Sequence, residues 1–233
     1  MGMHALKAIS LDLDDTLWPI WPVIERAEMQ LHDFLREHAP ATALKFPVPA
    51  MRHLREQTAQ AHPELAHDYT AQRKISIGHA LRLSGDPESL VEPAFSAFYR
   101  ARNAVDLYAD CLPALQRLSA RFPLIALTNG NADLKQTGIA GFFITCVSAR
   151  QAGSAKPDPA IFEAARQHLD CPANAILHVG DDPWLDIDGA HGAGFRSAWV
   201  NRTGAHWPAE LKQADITVTD LNRLADILDE VPA

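Results

Sequence analysis

The first apolar run, Lys7-Ala8-Ile9-Ser10-Leu11-Asp12-Leu13, is too short for a helix and ends in carboxylates, so it predicts a short buried strand over about residues 7–13. Downstream the hydrophobic period changes. In IERAEMQLHDFLRE, Ile24, Ala27, Leu31, Phe34 and Leu35 recur at helical spacing, and LVEPAFSAFYRA does the same with Leu90, Ala94, Phe95, Phe98 and Tyr99. The section from about 20 to 105 therefore reads as all-helical. From about 110 the pattern alternates: a helix over 113–121, a strand in PLIALTN (123–129), a helix, a strand in FFITCVS (142–148), a helix in DPAIFEAARQHLD, a strand in AILHVGD (175–181), a helix, a strand in RSAWVN (196–201), then ADITVTDL and a last helix. Strands alternating with helices call for right-handed crossovers and a parallel sheet, to which the first strand also belongs. The expected architecture is α/β: a Rossmann-like parallel-sheet core from residues 1–19 and 106–233, interrupted by a helical domain over 20–105.

Open parallel sheets carry their chemistry at the carboxyl ends of the strands. Asp12 and Asp14 close the first strand, Thr128 and Asn129 close LIALTN, and Asp181 and Asp182 close AILHVGDD. Lys156, in SAKPDPAIF, stands just before a helix that Pro157 and Asp158 initiate. GDDPWLDIDGAHGAG adds Asp186 and Asp188, followed by Gly189, Gly192 and Gly194, which permit close packing or tight turning. Carboxylates gathered at one rim repel one another, and a fold that gathers them calls for a cation or a reaction. Phosphoryl transfer supplies both. Phosphate-monoester hydrolysis needs rate enhancements up to about 10²¹-fold, and a carboxylate nucleophile divides the step through an aspartyl-phosphate. Each pair of unit negative charges at about 4 Å costs roughly 4 kcal/mol at an effective dielectric of about 20. A hard dication such as Mg²⁺, taking oxygen ligands, offsets that repulsion. Lys156 is the second positive charge, while the Thr128 hydroxyl and backbone N–H groups hold phosphoryl oxygens.

Composition narrows the partners. The chain has 233 residues, 47% of them hydrophobic, enough for a full-sized core, and its net charge is -8 with no basic stripe, which argues against nucleic acid and anionic membranes. Cys111, Cys146 and Cys171 are widely spaced with no C-x-x-C, and read as reduced thiols serving as small core residues. MGMHALKAIS has no long apolar segment and no later run reaches membrane-spanning length, so the expected place of action is the cytoplasm. The expected partner is a small phosphorylated metabolite, and both a monomer and a homodimer stay open. The 11 histidines form no metal-binding spacing and read as scattered surface or core residues. Asp15 reads as a turn residue, Asp182 and Asp188 as helix-start residues or neighbours of the site, and Arg73 and Lys74 as a solvated helix face in preference to a contact with a phosphate or ring. Trp18 and Trp184 are open between packing and substrate contact.

D-x-D-x-T after an apolar strand, a strand ending in T-N, K-P before a helix, and G-D-D-x-x-x-D resemble, in order, the four motifs of the haloacid dehalogenase-like superfamily of hydrolases. The resemblance implies that Asp12 is the nucleophile and that Asp14 is the acid and then the base. It further implies that Asp12, the Asp14 carbonyl and Asp181 hold Mg²⁺, that Asp186 orients the metal's water shell or Lys156, and that Asp182 makes a water-mediated contact. Thr128, Asn129 and Lys156 would bind the phosphoryl group, and the helical insertion corresponds to the family's mobile cap. Haloacid dehalogenases lack the second acid, because halide departs without a proton, and phosphonate-cleaving relatives also depart at that position; Asp14 thus points to a phosphatase. LTNGNA, LHVGDD, DLDDTL and HDYTAQRKISIGHAL are similar to bacterial phosphatases that accept flavin mononucleotide and 5-amino-6-(5-phospho-D-ribitylamino)uracil. A sugar-phosphate phosphatase or phosphomutase would retain the same motifs. A catalytically silent phosphometabolite binder would be expected to lose one of the two acids, and this chain keeps both.

Overall fold

In the computed structural model, which describes residues 6–230, β1 (Ala8–Leu11) is buried at all four positions, as a strand covered on both faces must be. It is joined by β2 (Leu124–Thr128), β3 (Thr145–Ser148), β4 (Ile176–Gly180), β5 (Arg196–Val200) and β6 (Ile216–Val218). All pair in parallel, in the order β3-β2-β1-β4-β5-β6. The chain is thus an α/β protein with a Rossmann-like sheet. The order reverses between β1 and β4, and such a switch point leaves a crevice at the strands' carboxyl ends. Ser10 faces Ile125 on one side and His178 on the other.

The described residues group into two units. One holds the residues through Pro19, Asp106–Gly130 and those from Gly138 onward; the other holds Ile20–Val105 together with Asn131–Thr137. Residues 1–5 and 231–233, at the ends of the expected core domain, lie outside the described part, and with them half of MGMHALKAIS.

The second unit is built from α1 (Ile20–His38), α2 (Pro40–Lys45), α3 (Val48–Ala61), α4 (Tyr69–Ser84) and α5 (Val91–Arg102). The apolar stripes bury Ala27, Leu31, Leu35, Ile77, Leu81, Phe95 and Phe98 in one cluster. Asp68 starts α4 by accepting the Ala71 N–H at 2.9 Å, and Gly85, at φ 77°, ends it. Arg73 does not join the solvated face expected of it, whereas Lys74 stays partly exposed. Arg73 is buried, its guanidinium 3.6 Å from the centroid of Phe98 and 4.0 Å from buried Glu28, which also accepts from Arg52 at 2.5 Å. Burial, and then the neighbouring arginines, pull the Arg73 guanidinium down to about 9. Helical periodicity counts charge as exposed and misses a guanidinium that uses an aromatic face in place of water. Lys74 pairs with Glu92 at 2.8 Å.

In the sheet unit α6 (Cys111–Ser119) precedes β2, α7 (Ala149–Ala152) and α8 (Pro159–Arg166) lie between β3 and β4, α9 (Gly189–Gly192) precedes β5, and α10 (Leu221–Asp229) ends the described chain. Ile125, Leu127, Val147, Ile161, Phe162, Ala190 and Phe195 share a buried cluster, and Arg117 ties α6 to α10 through Asp226 and Asp229. Where a helix is expected between β2 and β3, the structure has only a 3₁₀ turn over Ala140–Phe142. Asp133 Oδ1 accepts the N–H groups of Lys135 and Gln136, the Asp133 N–H donates to Asn103, Asn131 donates to Thr70, and Gly138 takes φ 81°. Side chains that satisfy the backbone locally compete with helix. All three cysteines are free, but only Cys111 is buried. No helix among the described residues is long and apolar enough to cross a membrane.

Candidate active site

The end of β1 supplies the first carboxylate. The Asp12 N–H donates to Val179 O at 2.9 Å, so the β1–β4 ladder continues to this residue and Asp12 lies on the same side of the sheet as Ser10. A tight turn follows. Asp15, at φ 60°, donates its N–H to Trp18 O at 2.8 Å, and Leu17 N donates to Leu13 O; aspartate tolerates that left-handed conformation better than most residues. The turn as read from sequence is therefore present at Asp15. It returns Trp18 to Asp14, where the fully buried indole donates through Nε1 to Asp14 Oδ1 at 2.8 Å. Trp18 is packed and hydrogen-bonded to a carboxylate, which answers the alternative the sequence left open.

Lys156 reaches Asp12 from the loop before α8. Its buried ammonium donates to Asp12 Oδ1 at 2.5 Å and to Asp186 Oδ1 at 2.6 Å. Asn129 holds the same residue by its main chain: Oδ1 accepts the Lys156 N–H at 2.7 Å and Nδ2 donates to the Lys156 carbonyl at 3.0 Å. The Asn129 carboxamide, expected to contact substrate, thus holds the lysine backbone and keeps one Nδ2 hydrogen to donate. Thr128 Oγ1 accepts the Gly130 N–H at 2.9 Å, which leaves its hydroxyl hydrogen to donate.

The loop after β4 completes the group. Asp182 caps a π-helical turn over Pro183–Asp188 by accepting from Trp184 N and Leu185 N, at 2.8 and 2.9 Å. That wide turn brings Asp186 back beneath the strand end, a use to which such turns are often put at functional sites. Asp186 Oδ1 also contacts His178 Nε2 at 3.1 Å, and Oδ2 accepts the Asp182 N–H at 3.0 Å. Gly180 makes room: a Cβ there would stand 2.2 Å from Asp186 Cγ. Gly189 likewise lets α9 approach Phe162 and Pro157, and Gly194, at φ 76°, turns the chain. Asp181 accepts from Thr16 Oγ1 at 3.0 Å, and its carbonyl accepts from Trp199 Nε1 at 2.7 Å. Arg202 secures Thr16 by donating to its carbonyl while pairing with both oxygens of Asp110. Asp188 and Trp184 are exposed.

One oxygen each from Asp12, Asp181 and Asp186 lie within 4.8 Å of one another. Burial, only partly offset by Lys156, raises Asp12 well above the usual carboxylate range. Burial and the Asp186 charge push Asp181 up to about 7. Asp186 goes the other way: burial opposes ionisation, but Lys156 and the His178 hydrogen bond hold it ionised. Lys156, despite burial, is raised by Asp12 and Asp186 and stays an ammonium. Fully ionised, three carboxylates against one ammonium would leave an excess of two negative charges, which together with burial raises the proton affinities of Asp12 and Asp181, and the donors are all hard oxygens. This set fits a dication of the Mg²⁺ kind. Because Asp186 already serves Lys156, His178 and Asp182, the oxygens of Asp12 and Asp181 are the ones suited to direct ligation.

Four of the residues read from the sequence, Asp12, Lys156, Asp181 and Asp186, thus meet directly, while Asn129 and Asp182 support them through hydrogen bonds. Sequence reasoning missed Ser10, Thr16, Trp199, Arg202, Gly180 and the buried His178. Of these, Thr16 lies inside D-x-D-x-T and Gly180 inside G-D-D, where a signal was available; His178 was passed over with the other histidines.

The family model for haloacid dehalogenase-like hydrolases matches residues 6–194. The chain is 32% identical to the 5-amino-6-(5-phospho-D-ribitylamino)uracil phosphatase YigB of Escherichia coli, over 84% of this chain and 83% of that one. It is 28% identical to the glyceraldehyde 3-phosphate phosphatase of Methanopyrus kandleri, over 97% of each. Among solved structures, a 2-haloacid dehalogenase from Pseudomonas syringae pv. tomato superposes with a TM-score of 0.90 at 35% identity, covering 96% of this chain and 98% of that one. The chain belongs to the haloacid dehalogenase-like hydrolases.

Proposed function

We propose that the protein is a Mg²⁺-dependent phosphatase that hydrolyses a small phosphorylated metabolite through an aspartyl-phosphate on Asp12. The observation that carries this reading is the second acid: Asp14, two residues after the nucleophile, with one carboxylate oxygen held by Trp18 Nε1. Displacing halide needs no proton, whereas an alkoxide leaving group does. In the first step an Asp12 oxygen bonds to phosphorus while the ester oxygen leaves with a proton from Asp14. In the second, Asp14 takes a proton from water as the water oxygen attacks phosphorus and Asp12 departs as carboxylate. Lys156, with two of its three N–H donors on Asp12 and Asp186, offers the third to a phosphoryl oxygen. Thr128 donates to another, and Asn129 acts by holding Lys156. Asp12, Asp181 and the Asp14 carbonyl would hold Mg²⁺, and the ion, when bound, would offset the negative charge between nucleophile and phosphoryl group.

For the substrate, the likeness to the 5-amino-6-(5-phospho-D-ribitylamino)uracil phosphatase supports a ribityl phosphate ester bearing a planar ring, and flavin mononucleotide has the same build. The test is a panel of flavin mononucleotide, sugar phosphates, nucleotides and 2-haloacids, assayed with Mg²⁺ and with chelator. Chelator-sensitive phosphate release preferring flavin mononucleotide is the expected result. Activity spread over sugar phosphates keeps the mechanism and replaces the substrate. Halide release from 2-haloacids, with none from any ester, overturns the reading in favour of the activity named for the Pseudomonas syringae structure.

A further inference from the structure

Ser10 and His178 are fully buried polar side chains beside the carboxylate group, and the mechanism above uses neither. They are register partners across β1 and β4, so they project from the same face. Ser10 Oγ lies 2.7 Å from His178 Nδ1, and His178 Nε2 lies 3.1 Å from Asp186 Oδ1, the oxygen that takes the Lys156 ammonium at 2.6 Å. The Phe162 ring packs against the imidazole nearly at right angles, with the ring centroids 5.1 Å apart. Burial lowers the His178 proton affinity, so the ring is neutral and has one donor and one acceptor nitrogen. Asp186, ionised beside Lys156, only accepts. The hydrogen is therefore on Nε2, and Nδ1 takes the hydroxyl hydrogen of Ser10.

We propose that Ser10 and His178 are a positioning pair that fixes the Asp186 carboxylate and, through it, the place of the Lys156 ammonium against Asp12. The Ser10 hydroxyl selects the ring tautomer, the ring N–H orients Asp186 Oδ1, and Oδ1 holds Lys156. Without the ring N–H, only Oδ2 keeps a fixed donor, the Asp182 main chain, and ammonium and carboxylate can turn together away from Asp12. The consequence for rate rests on the phosphatase reading, whereas the hydrogen-bond order does not.

The test has two arms on the full chain. Ring ¹⁵N NMR of His178 is expected to show a protonated Nε2 and an unprotonated Nδ1, with the Nδ1 signal shifted in Ser10→Ala; a ring protonated on Nδ1 would overturn the pair. In the second arm, hydrolysis of p-nitrophenyl phosphate with Mg²⁺ is measured for His178→Leu, His178→Gln and Ser10→Ala, each checked by thermal unfolding. His178→Leu is expected to lower kcat about 10- to 100-fold with KM little changed, the range typical of supporting residues one layer out. His178→Gln, which keeps an N–H near the Nε2 position, recovers most of that loss. A folded His178→Leu with wild-type kcat, or a glutamine variant no better than leucine, sinks the proposal. If the leucine variant does not fold, the tautomer and Ser10→Ala decide. If the wild-type chain hydrolyses no ester, a ring protonated on Nε2 retains the pair and removes only the phosphatase reading.

Discussion

Asp12 and Asp14 are chemically identical side chains given different work by their neighbours. Asp12 is buried against an ammonium, while Asp14 is reached by an indole N–H at the mouth of a tight turn. Asp14→Asn is expected to slow hydrolysis of alkyl phosphates far more than of p-nitrophenyl phosphate, since nitrophenolate scarcely needs the proton; equal losses on both esters would contradict the acid role. Asp12→Asn is expected to abolish turnover on both while leaving the unfolding temperature near or above that of the parent, because a neutral amide removes one charge from a crowded group. At Gly180 the constraint is steric. Gly180→Ala places a methyl 2.2 Å from Asp186 Cγ, so Asp186 must move, at about 1–3 kcal/mol in stability and with loss of the Lys156 contact. A denaturant titration together with kcat checks both parts. At this scale the charged residues were legible, because carboxylates at a strand end contradict burial and so call attention to themselves. His178, Ser10 and Trp18 were not, since an imidazole, a hydroxyl or an indole inside a core looks the same in sequence whether or not it touches a carboxylate.

Elements succeed or fail here by how much their local chemistry agrees with their pattern. β1, β2 and β4 are apolar runs bounded by polar residues, and each appears within a residue or two of the expected span. The segment after β2 fails as a helix because Asn131, Asp133 and Gly138 provide a turn whose polar groups are satisfied by their own loop and by the helical unit. Likewise, Asp182 and Pro183 announce a helix start, but nothing in the sequence announces that the turn is π-wide, which is what returns Asp186 to Lys156. The loop carrying Lys156 depends on β2 through one carboxamide. Asn129→Ala removes both main-chain bonds to Lys156 and is expected to cost about 1–3 kcal/mol in stability and to lower kcat, with the larger effect on kcat. Unchanged kinetics in a folded variant would show that the loop holds itself.

For the molecule as a whole, the decisive quantity is the charge at the switch point between β1 and β4. Asp12 and Asp181 have folded-state proton affinities above the ordinary value, the latter at about 7. These two groups bind more protons in the folded chain than in the unfolded chain from about pH 4 to 7, so their contribution to metal-free stability is greatest at the acidic end of that window and is lost as pH rises through 7, while buried His178, its proton affinity lowered, opposes them below about pH 6.5. Mg²⁺ competes with those protons. Its addition is therefore expected to raise the unfolding temperature more at pH 8 than at pH 5.5, and a shift of equal size at both, or none, would count against a cation at Asp12 and Asp181. The sheet order carries a different consequence, for the birth of the protein. β1 is made first but pairs with β2, more than a hundred residues on, and with β4, later still. During synthesis the helical segment between β1 and β2 has its own local contacts to form, while Asp12 waits without Lys156 or Asp181. A nascent chain stalled after Thr128 would carry Asp12 without Lys156, Asp181 or Asp186, so the carboxylate group proposed to hold the cation assembles only once β4 and the loop after it have emerged.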